Sequence, residues 1–169
     1  MSDIIFKTEA HIFSYRVAGV CIHDGKILLQ KPTDDTAYAI PGGHVSFGET
    51  HNQTLIREFQ EEIGVPIAVG DLLWIGELFF PWGEKQCHQI CLYYAVELWD
   101  DTLPRSGSFM GCEHLENRSF DLEFHWIPIE QLNDIEIYPT RTFEMIQSPG
   151  VHHFVYHENG EDKKEIILS

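Results

Sequence analysis

The chain has 169 residues, of which 43% are hydrophobic, so it is long enough to bury a sizeable core. Its formal net charge is −16 with only 11 Lys and Arg residues, which argues against a nucleic acid polymer as partner because binding a polyanion requires clustered positive charge. It contains no apolar run of about 18 residues that could span a membrane.

The first part of the chain predicts strands that lead into a glycine-rich loop. Residues 14–23 alternate and are rich in β-formers, Asp24-Gly25 is a hairpin signal, and residues 26–31 continue as a second strand. Residues 37–40 predict a short strand that ends at Pro41-Gly42-Gly43. Turn residues of this kind allow a backbone to approach an ion or a phosphate closely.

The next element is an amphipathic helix. Leu55, Phe59 and Ile63 recur every four residues and form an apolar stripe that can pack on a core. Thr50 lies near the start of the helix, where a hydroxyl can cap free N–H groups, and Gly64 is a stop signal at its end.

Three glutamates, Glu58, Glu61 and Glu62, fall within about one turn of this helix. Residues three and four apart are neighbours on a helix surface, so these carboxylates repel one another. They also lie at the negative end of the helix dipole. A divalent cation would make this arrangement favourable, because hard cations bind carboxylate oxygens. The alternative is a solvated acidic helix face.

After the helix, long strands alternate with turns, and the chain ends in short helices and a hairpin. This order predicts an α/β fold with a mixed sheet packed between helices, in a single domain over residues 1–169. The predicted elements are a strand at 67–80 bent around Gly70-Asp71, a turn at 81–84, a strand at 86–98, a loop at 99–119, a strand at 120–127, a helix from 128–132, a helix at 138–147, and a C-terminal hairpin of 151–158 and 163–168.

The segment 43–65 resembles the Nudix box, which is Gly, five residues, Glu, seven residues and Arg-Glu-U-x-Glu-Glu-x-Gly-U, where U is usually aliphatic. Phe59 alone departs from this pattern, because it is aromatic. The resemblance covers about residues 14–147 and leaves 148–169 as an extension. The matching positions are Gly43, Glu49, Arg57, Glu58, Glu61, Glu62, Gly64 and Val65.

The resemblance implies a Nudix-like α/β/α sandwich and a metal-dependent, MutT-like hydrolase. Such an enzyme cleaves the pyrophosphate bond of a nucleoside diphosphate linked to another group, with Mg²⁺ or Mn²⁺ as cofactor. Phosphoryl transfer requires neutralised phosphate oxygens and an aligned water, and metal ions can supply both.

The resemblance also assigns roles to residues of this chain. Glu61 binds metal or acts as the general base, and the motif does not decide between the two. Arg57 holds Glu49 in place. The implied metal ligands are Gly43, Glu58, Glu61 and Glu62, and the alternative bases outside the box are Glu113, Glu116 and Glu123.

Contacts to the substrate are less well defined by the sequence. Trp82 follows two phenylalanines at a turn between long strands, where an exposed ring could stack on a base. Tyr38 precedes the glycine-rich loop, and Arg16 and Lys31 lie on strands that lead toward it. No further signature identifies the substrate.

Two other functions stay open on the same fold. A nucleotide-ligand sensor that does not hydrolyse would be favoured by degraded box carboxylates, and an isoprenoid diphosphate isomerase would require a reactive cysteine, for which Cys87, Cys91 and Cys112 are candidates. The four cysteines have no zinc-site spacing, and the chain shows no leader peptide, so we expect reduced thiols and a cytoplasmic protein. The C-terminal hairpin could pair with a second copy to form a homodimer.

Overall fold

Two β-sheets and a few short helices make up the fold. The computed structural model describes residues 2–115, 118–160 and 162–169. The strands are β1 (Ile5–Lys7), β2 (His11–Val20), β3 (Ile22–His23), β4 (Lys26–Pro32), β5 (Tyr38–Ala39), β6 (Gly42–His44), β7 (Ile67–Trp82), β8 (Lys85–Leu98), β9 (Ser108–Leu115), β10 (Arg118–Pro128), β11 (Ile137–Tyr138), β12 (His152–Asn159) and β13 (Asp162–Ile167). The helices are α1 (His51–Ile63), a 3₁₀ helix (Ile129–Asp134) and α2 (Thr142–Gln147).

Sheet 1 has the strand order β1-β2-β8-β7-β12-β13, with β6 paired to β2. Its β2–β8 and β7–β12 pairs are parallel and its other pairs are antiparallel. Sheet 2 has the order β11-β5-β4-β10-β9, with β3 paired to β4. The predicted α/β fold with a mixed sheet is therefore confirmed.

Helix α1 begins and ends where local chemistry requires. Thr50 accepts a hydrogen bond from the Gln53 backbone, and the Gln53 side chain accepts one from the Thr50 N–H, which completes a capping box. Gly64 ends the helix with a φ of 71°, a left-handed conformation that glycine adopts without strain. In the described residues no helix has the length and hydropathy needed to cross a membrane.

The buried side chains form two clusters on opposite faces of the strands. On β2, Val17 faces one cluster and Ala18 the other, as strand alternation requires. The first cluster contains Leu55 and Phe59 of α1. The second contains Leu132 of the 3₁₀ helix and residues of α2. Helices thus cover the strands from two sides.

The predicted loop at 99–119 is wrong in its second half. Residues Ser108–Leu115 form β9, which pairs antiparallel with β10. Phe109 stacks on Phe124 of β10, with ring centroids 5.4 Å apart and planes at 7°. This strand depends on pairing with β10, and its own sequence contains no β-branched residue that would have predicted a strand.

The first predicted C-terminal helix, from 128–132, is a 3₁₀ helix at Ile129–Asp134, and the second, predicted at 138–147, is shorter than expected. The C-terminal hairpin is confirmed. Tyr138 of β11 pairs with Ala39 of β5, and the proline that follows Tyr138 disfavours a helical backbone at Tyr138. Helix α2 therefore starts only at Thr142. The hairpin β12–β13 extends sheet 1 through parallel pairing of β12 with β7.

Candidate active site

Arg57 is the centre of a carboxylate network on α1. It binds Glu49 with two bonds, Nε to Oε1 at 2.8 Å and Nη2 to Oε2 at 3.0 Å. Its Nη1 donates to Glu58 Oε1 at 2.8 Å and to Glu61 Oε2 at 3.3 Å, and Nη2 also reaches the His44 carbonyl at 3.1 Å. The hydrogen bond from Arg57 holds the pKa of Glu49 below its ordinary value. One guanidinium therefore fixes three acidic side chains and the glycine-rich loop.

Glu62 is the most unusual acid of the helix. It is only 6% exposed, and its Oε1 has no hydrogen-bond partner among the described residues. Burial first, and then the charges of Glu58 and Glu113, raise the pKa of Glu62 to about 9. Burial also raises the pKa of Glu58. A buried carboxyl without a partner is costly, so its presence suggests a ligand.

The backbone of the glycine-rich loop approaches the same carboxylates. A Cβ atom at Gly43 would lie 2.1 Å from Cδ of Glu58, so only a glycine leaves room for this contact. Oxygen ligands from two glutamates and a nearby carbonyl are the set that Mg²⁺ or Mn²⁺ prefers. In the part of the chain that the structure describes, no three acidic, His or Cys side chains already form a metal-binding group. Arg57 already donates hydrogen bonds to Glu58 and Glu61. The Oε1 atom of Glu62, which has no partner among the described residues, is suited to bind a cation.

A cavity of about 540 Å³ opens above these residues, and we call it the carboxylate cavity. It is bordered by Gly43, Arg57, Glu58 and Glu61 and by Glu113 of β9. Strand β9 thus brings a fifth acid, Glu113, beside the four acids of the box, and the charge of Glu113 contributes to the raised pKa of Glu62.

A second cavity of about 230 Å³, the central cleft, lies between the two sheets. It shares Glu113 with the carboxylate cavity and is lined by Arg16 and Lys31. Arg16 also donates to the Gly42 carbonyl at 3.3 Å. The two cavities therefore meet at Glu113.

Glu123, another predicted base, does not line the carboxylate cavity. Glu123 accepts a hydrogen bond from Lys31 at 2.9 Å and contacts His125 at 3.2 Å, and these partners lower its pKa. Glu116 lies outside the described residues. Of the two described acids that were predicted beyond the box, Glu113 borders the carboxylate cavity and Glu123 does not.

The predicted aromatic contacts do not share one surface. Tyr38 packs edge-on against His125, with ring centroids 5.4 Å apart. Trp82 is 39% exposed and stacks on His44, with centroids 6.3 Å apart and planes at 21°. Arg16 and Lys31 reach the cleft, whereas these two rings pack on histidines.

Several site residues were missed because no local motif marks them. His44 Nε2 lies 2.9 Å from Ser14 Oγ, which donates to Gln89 Oε1 at 3.2 Å. Burial lowers the pKa of His44 to about 4, so this ring is neutral at pH 7. Asp3, near the N-terminus, accepts a hydrogen bond from Ser46 at 3.0 Å and borders the carboxylate cavity. These contacts join distant parts of the chain, so only the folded structure reveals them.

Comparison with known proteins agrees with this geometry. A family model described as NUDIX domain matches residues 14–148. The chain belongs to the NUDIX family. The resemblance seen in the box is therefore confirmed.

Relatives of this NUDIX chain include pyrophosphatases with different substrates. It is 30% identical over 115 residues to the ADP-ribose pyrophosphatase of Methanocaldococcus jannaschii, across 63% of this chain and 67% of that protein. It is 42% identical over 59 residues to the CTP pyrophosphohydrolase of Escherichia coli, across 32% of this chain and 44% of that protein. Among four curated relatives, the matches span from 34% to 67% of the relative's length.

The NUDIX fold is also shared with solved structures. The mMutator MutT protein from Bacillus halodurans aligns with a TM-score of 0.66 and 13% identity, across 92% of this chain and 97% of that chain. The hairpin β12–β13 lies beyond the residues that match the family model, although it is part of sheet 1.

Proposed function

We propose that this NUDIX protein is a metal-dependent hydrolase of a nucleoside diphosphate linked to another group. The proposal depends mainly on Glu62, whose buried oxygen has no partner among the described residues and lies on the same helix as Glu58 and Glu61. Family membership and the intact box support the same reaction class. Two of the relatives are named for different substrates, ADP-ribose and CTP, so the nucleotide itself stays unassigned.

The residues that would hold Mg²⁺ or Mn²⁺ are Glu58, Glu61, Glu62 and the carbonyl of Gly43. When bound, the metal would neutralise phosphate oxygens and lower the pKa of a coordinated water. Without the metal, the raised pKa of Glu62 keeps its carboxyl protonated at neutral pH.

The chain's other residues position these groups. The bidentate contact of Arg57 with Glu49 fixes both side chains, because a planar guanidinium matches a carboxylate. The general base is Glu61 or Glu113, since both border the carboxylate cavity. A base must lie within hydrogen-bond reach of the attacking water, directly or through one more water.

The two alternative functions gain no support from the site. An isomerase would require a reactive thiolate, but burial raises the pKa of two of the three candidate thiols, Cys87 and Cys91, to about 11. The third candidate, Cys112, lies on β9 outside the box, with its Sγ 3.9 Å from the Glu113 carbonyl. A sensor would be favoured by lost box carboxylates, and each of them is present. The cytoplasmic location and the homodimer stay predictions.

The test is a mass-spectrometric screen of nucleoside diphosphate derivatives and nucleoside triphosphates in water enriched in heavy oxygen, with Mg²⁺ or Mn²⁺ and with chelator. We expect chelator-sensitive cleavage of one class, with the label showing which phosphorus was attacked. The variant Glu58→Gln should stay folded and lose turnover. Glu130→Gln makes the same change at an exposed residue of the 3₁₀ helix and should be as active as wild type. Full activity of Glu58→Gln, or turnover that chelator leaves unchanged, would contradict the metal assignment.

A further inference from the structure

A third cavity, of about 420 Å³, lies where the C-terminal hairpin meets the central cleft. We call it the hairpin pocket, and it is lined by Phe80, Tyr138, Tyr156, Glu158 and Lys163. It shares Arg16 and Tyr138 with the central cleft, which in turn shares Glu113 with the carboxylate cavity. The three cavities thus form a series with the hairpin pocket at the end far from the box.

Tyr156 provides the first sign that this pocket binds a ligand. The residue is 3% exposed, and its hydroxyl has no hydrogen-bond partner among the described residues. Its ring packs edge-on against Tyr138 at a centroid distance of 5.7 Å, and the residue is part of the pocket lining. A buried hydroxyl is ordinarily paired, so a ligand group is its expected partner.

The charges of the pocket restrict what that ligand can be. Lys163 contacts Glu158 at 3.4 Å and Glu136 at 3.5 Å, and it lies 5.2 Å from the centre of the Tyr138 ring, so its charge is already engaged. Within residues 2–115, 118–160 and 162–169, both glutamates keep one oxygen without a hydrogen-bond donor. Carboxylate oxygens only accept hydrogen bonds. Arg16 and Asp35 also line the pocket, so its charged side chains are two bases and three acids. The free carboxylate oxygens of Glu136 and Glu158 suit a ligand group that donates hydrogen bonds.

A second buried acceptor lies in the neighbouring cleft. Gln30 of β4 is 8% exposed, borders the central cleft, and its Oε1 has no partner among the described residues. Acceptors therefore follow one another from the central cleft into the hairpin pocket. Aromatic rings at Phe80 and Tyr138 supply flat apolar surface beside them.

We propose that the hairpin pocket binds the neutral, hydrogen-bond-donating end of the substrate, through the Tyr156 hydroxyl and the Glu158 carboxylate. The group has N–H or O–H donors on a flat or compact ring, and it is either an amino-bearing base or a hydroxylated sugar. The nucleotide context of this group rests on the proposed function. The hairpin, which lies beyond the family match at residues 14–148, thereby becomes a determinant of substrate choice.

The direct test uses fragments without phosphate, so that neither metal nor hydrolysis is needed. In buffer with chelator, binding of cytidine, adenosine, ribose and glucose to the full chain is measured by ligand-observed NMR. We expect wild-type protein to bind either the nucleosides or the free sugars with a Kd in the millimolar range. The variants Tyr156→Phe and Glu158→Gln should weaken that binding at least fivefold. Binding of the nucleosides alone identifies a base as occupant, whereas binding of the free sugars identifies a sugar.

Matched controls separate loss of the pocket from loss of structure. Tyr94→Phe removes a hydroxyl from the face of β8 that packs toward helix α1, away from the hairpin pocket. Asp162→Asn removes an exposed carboxylate from the C-terminal hairpin. Both should bind as wild type does. A wild type that binds neither set, or Tyr156→Phe and Glu158→Gln variants that bind as tightly as wild type, would overturn the proposal.

Kinetics then distinguish this inference from the proposed function. With a nucleotide that the enzyme cleaves, Tyr156→Phe should raise KM about fivefold and leave kcat within about twofold, because the hydroxyl is distant from the reacting bond. If this variant cleaves the nucleotide with an unchanged KM, the substrate-binding role of the hairpin pocket is refuted and the proposed hydrolase function is not. If the wild-type protein cleaves no nucleotide but binds the fragments, and the variants lose that binding, the proposed hydrolase function is refuted and the binding role of the pocket is not.

Discussion

Replacement of Glu62 with Gln should stabilise the metal-free protein at neutral and alkaline pH. Burial raises the pKa of Glu62 from its ordinary 4.5 to about 9. Between these two pH values the folded protein keeps a proton on Glu62 that the unfolded chain releases. A group of this kind lowers the free energy of unfolding as pH rises from 4.5 toward 9. At about 1.4 kcal/mol per pH unit, the three units between pH 4.5 and pH 7.5 correspond to about 4 kcal/mol. For a domain of this size that is about 10 °C in Tm.

The measurement is thermal unfolding in chelator from pH 5 to pH 8.5. Wild type should lose stability steadily across this range, and Glu62→Gln should lose much less, so the two Tm values diverge as pH rises. Glu130→Gln is the matched control, because Glu130 is an exposed acid of the 3₁₀ helix and is not among the groups that raise the pKa of Glu62, so its replacement should leave the difference from Glu62→Gln intact. Parallel curves for wild type and Glu62→Gln would refute the assignment of a buried, protonated carboxyl. Mn²⁺ should restore wild-type stability above pH 7, because a cation then replaces the proton.

The remaining predictions concern the base, the loop and the helix cap. The kcat values of Glu61→Gln and Glu113→Gln should be compared under saturating Mg²⁺. Replacing the general base should lower kcat at least about 100-fold, and equal, several-fold losses in both variants would exclude both residues as the base. Gly43→Ala should lower metal affinity, measured by calorimetry, because the added methyl would lie 2.1 Å from the Glu58 carboxyl carbon. Unchanged affinity would contradict a role for that approach. Thr50→Ala should cost about 1 kcal/mol of unfolding free energy in urea titrations, with no change in metal affinity, and a neutral effect would show that the cap is dispensable.

Helix α1 could be predicted from the sequence because its determinants are local. Thr50 and Gly64 cap its ends, and Leu55 and Phe59 repeat at the helical period, so the boundaries and the buried face follow from neighbouring residues. The hairpins at Asp24-Gly25 and Asn159-Gly160 follow for the same reason, since turn chemistry is a property of a few adjacent residues. The fixed spacing of the box likewise placed Glu58, Glu61 and Glu62 on one helix.

The folded structure decided which distant residues meet these acids. Strand β9 exists through pairing with β10, and that pairing brings Glu113 to the carboxylate cavity. The parallel pairing of β12 with β7 makes the C-terminal hairpin a wall of the hairpin pocket.

By itself, then, the sequence determined the family, the helix and the acids of the box, because local periodicity and spacing encode them. The burial that raises the pKa of Glu62, the meeting of the cavities at Glu113 and the Tyr156 pocket were decided by the tertiary structure. Burial and cavity shape depend on residues far apart in the chain, and no local pattern records which of them will pack together.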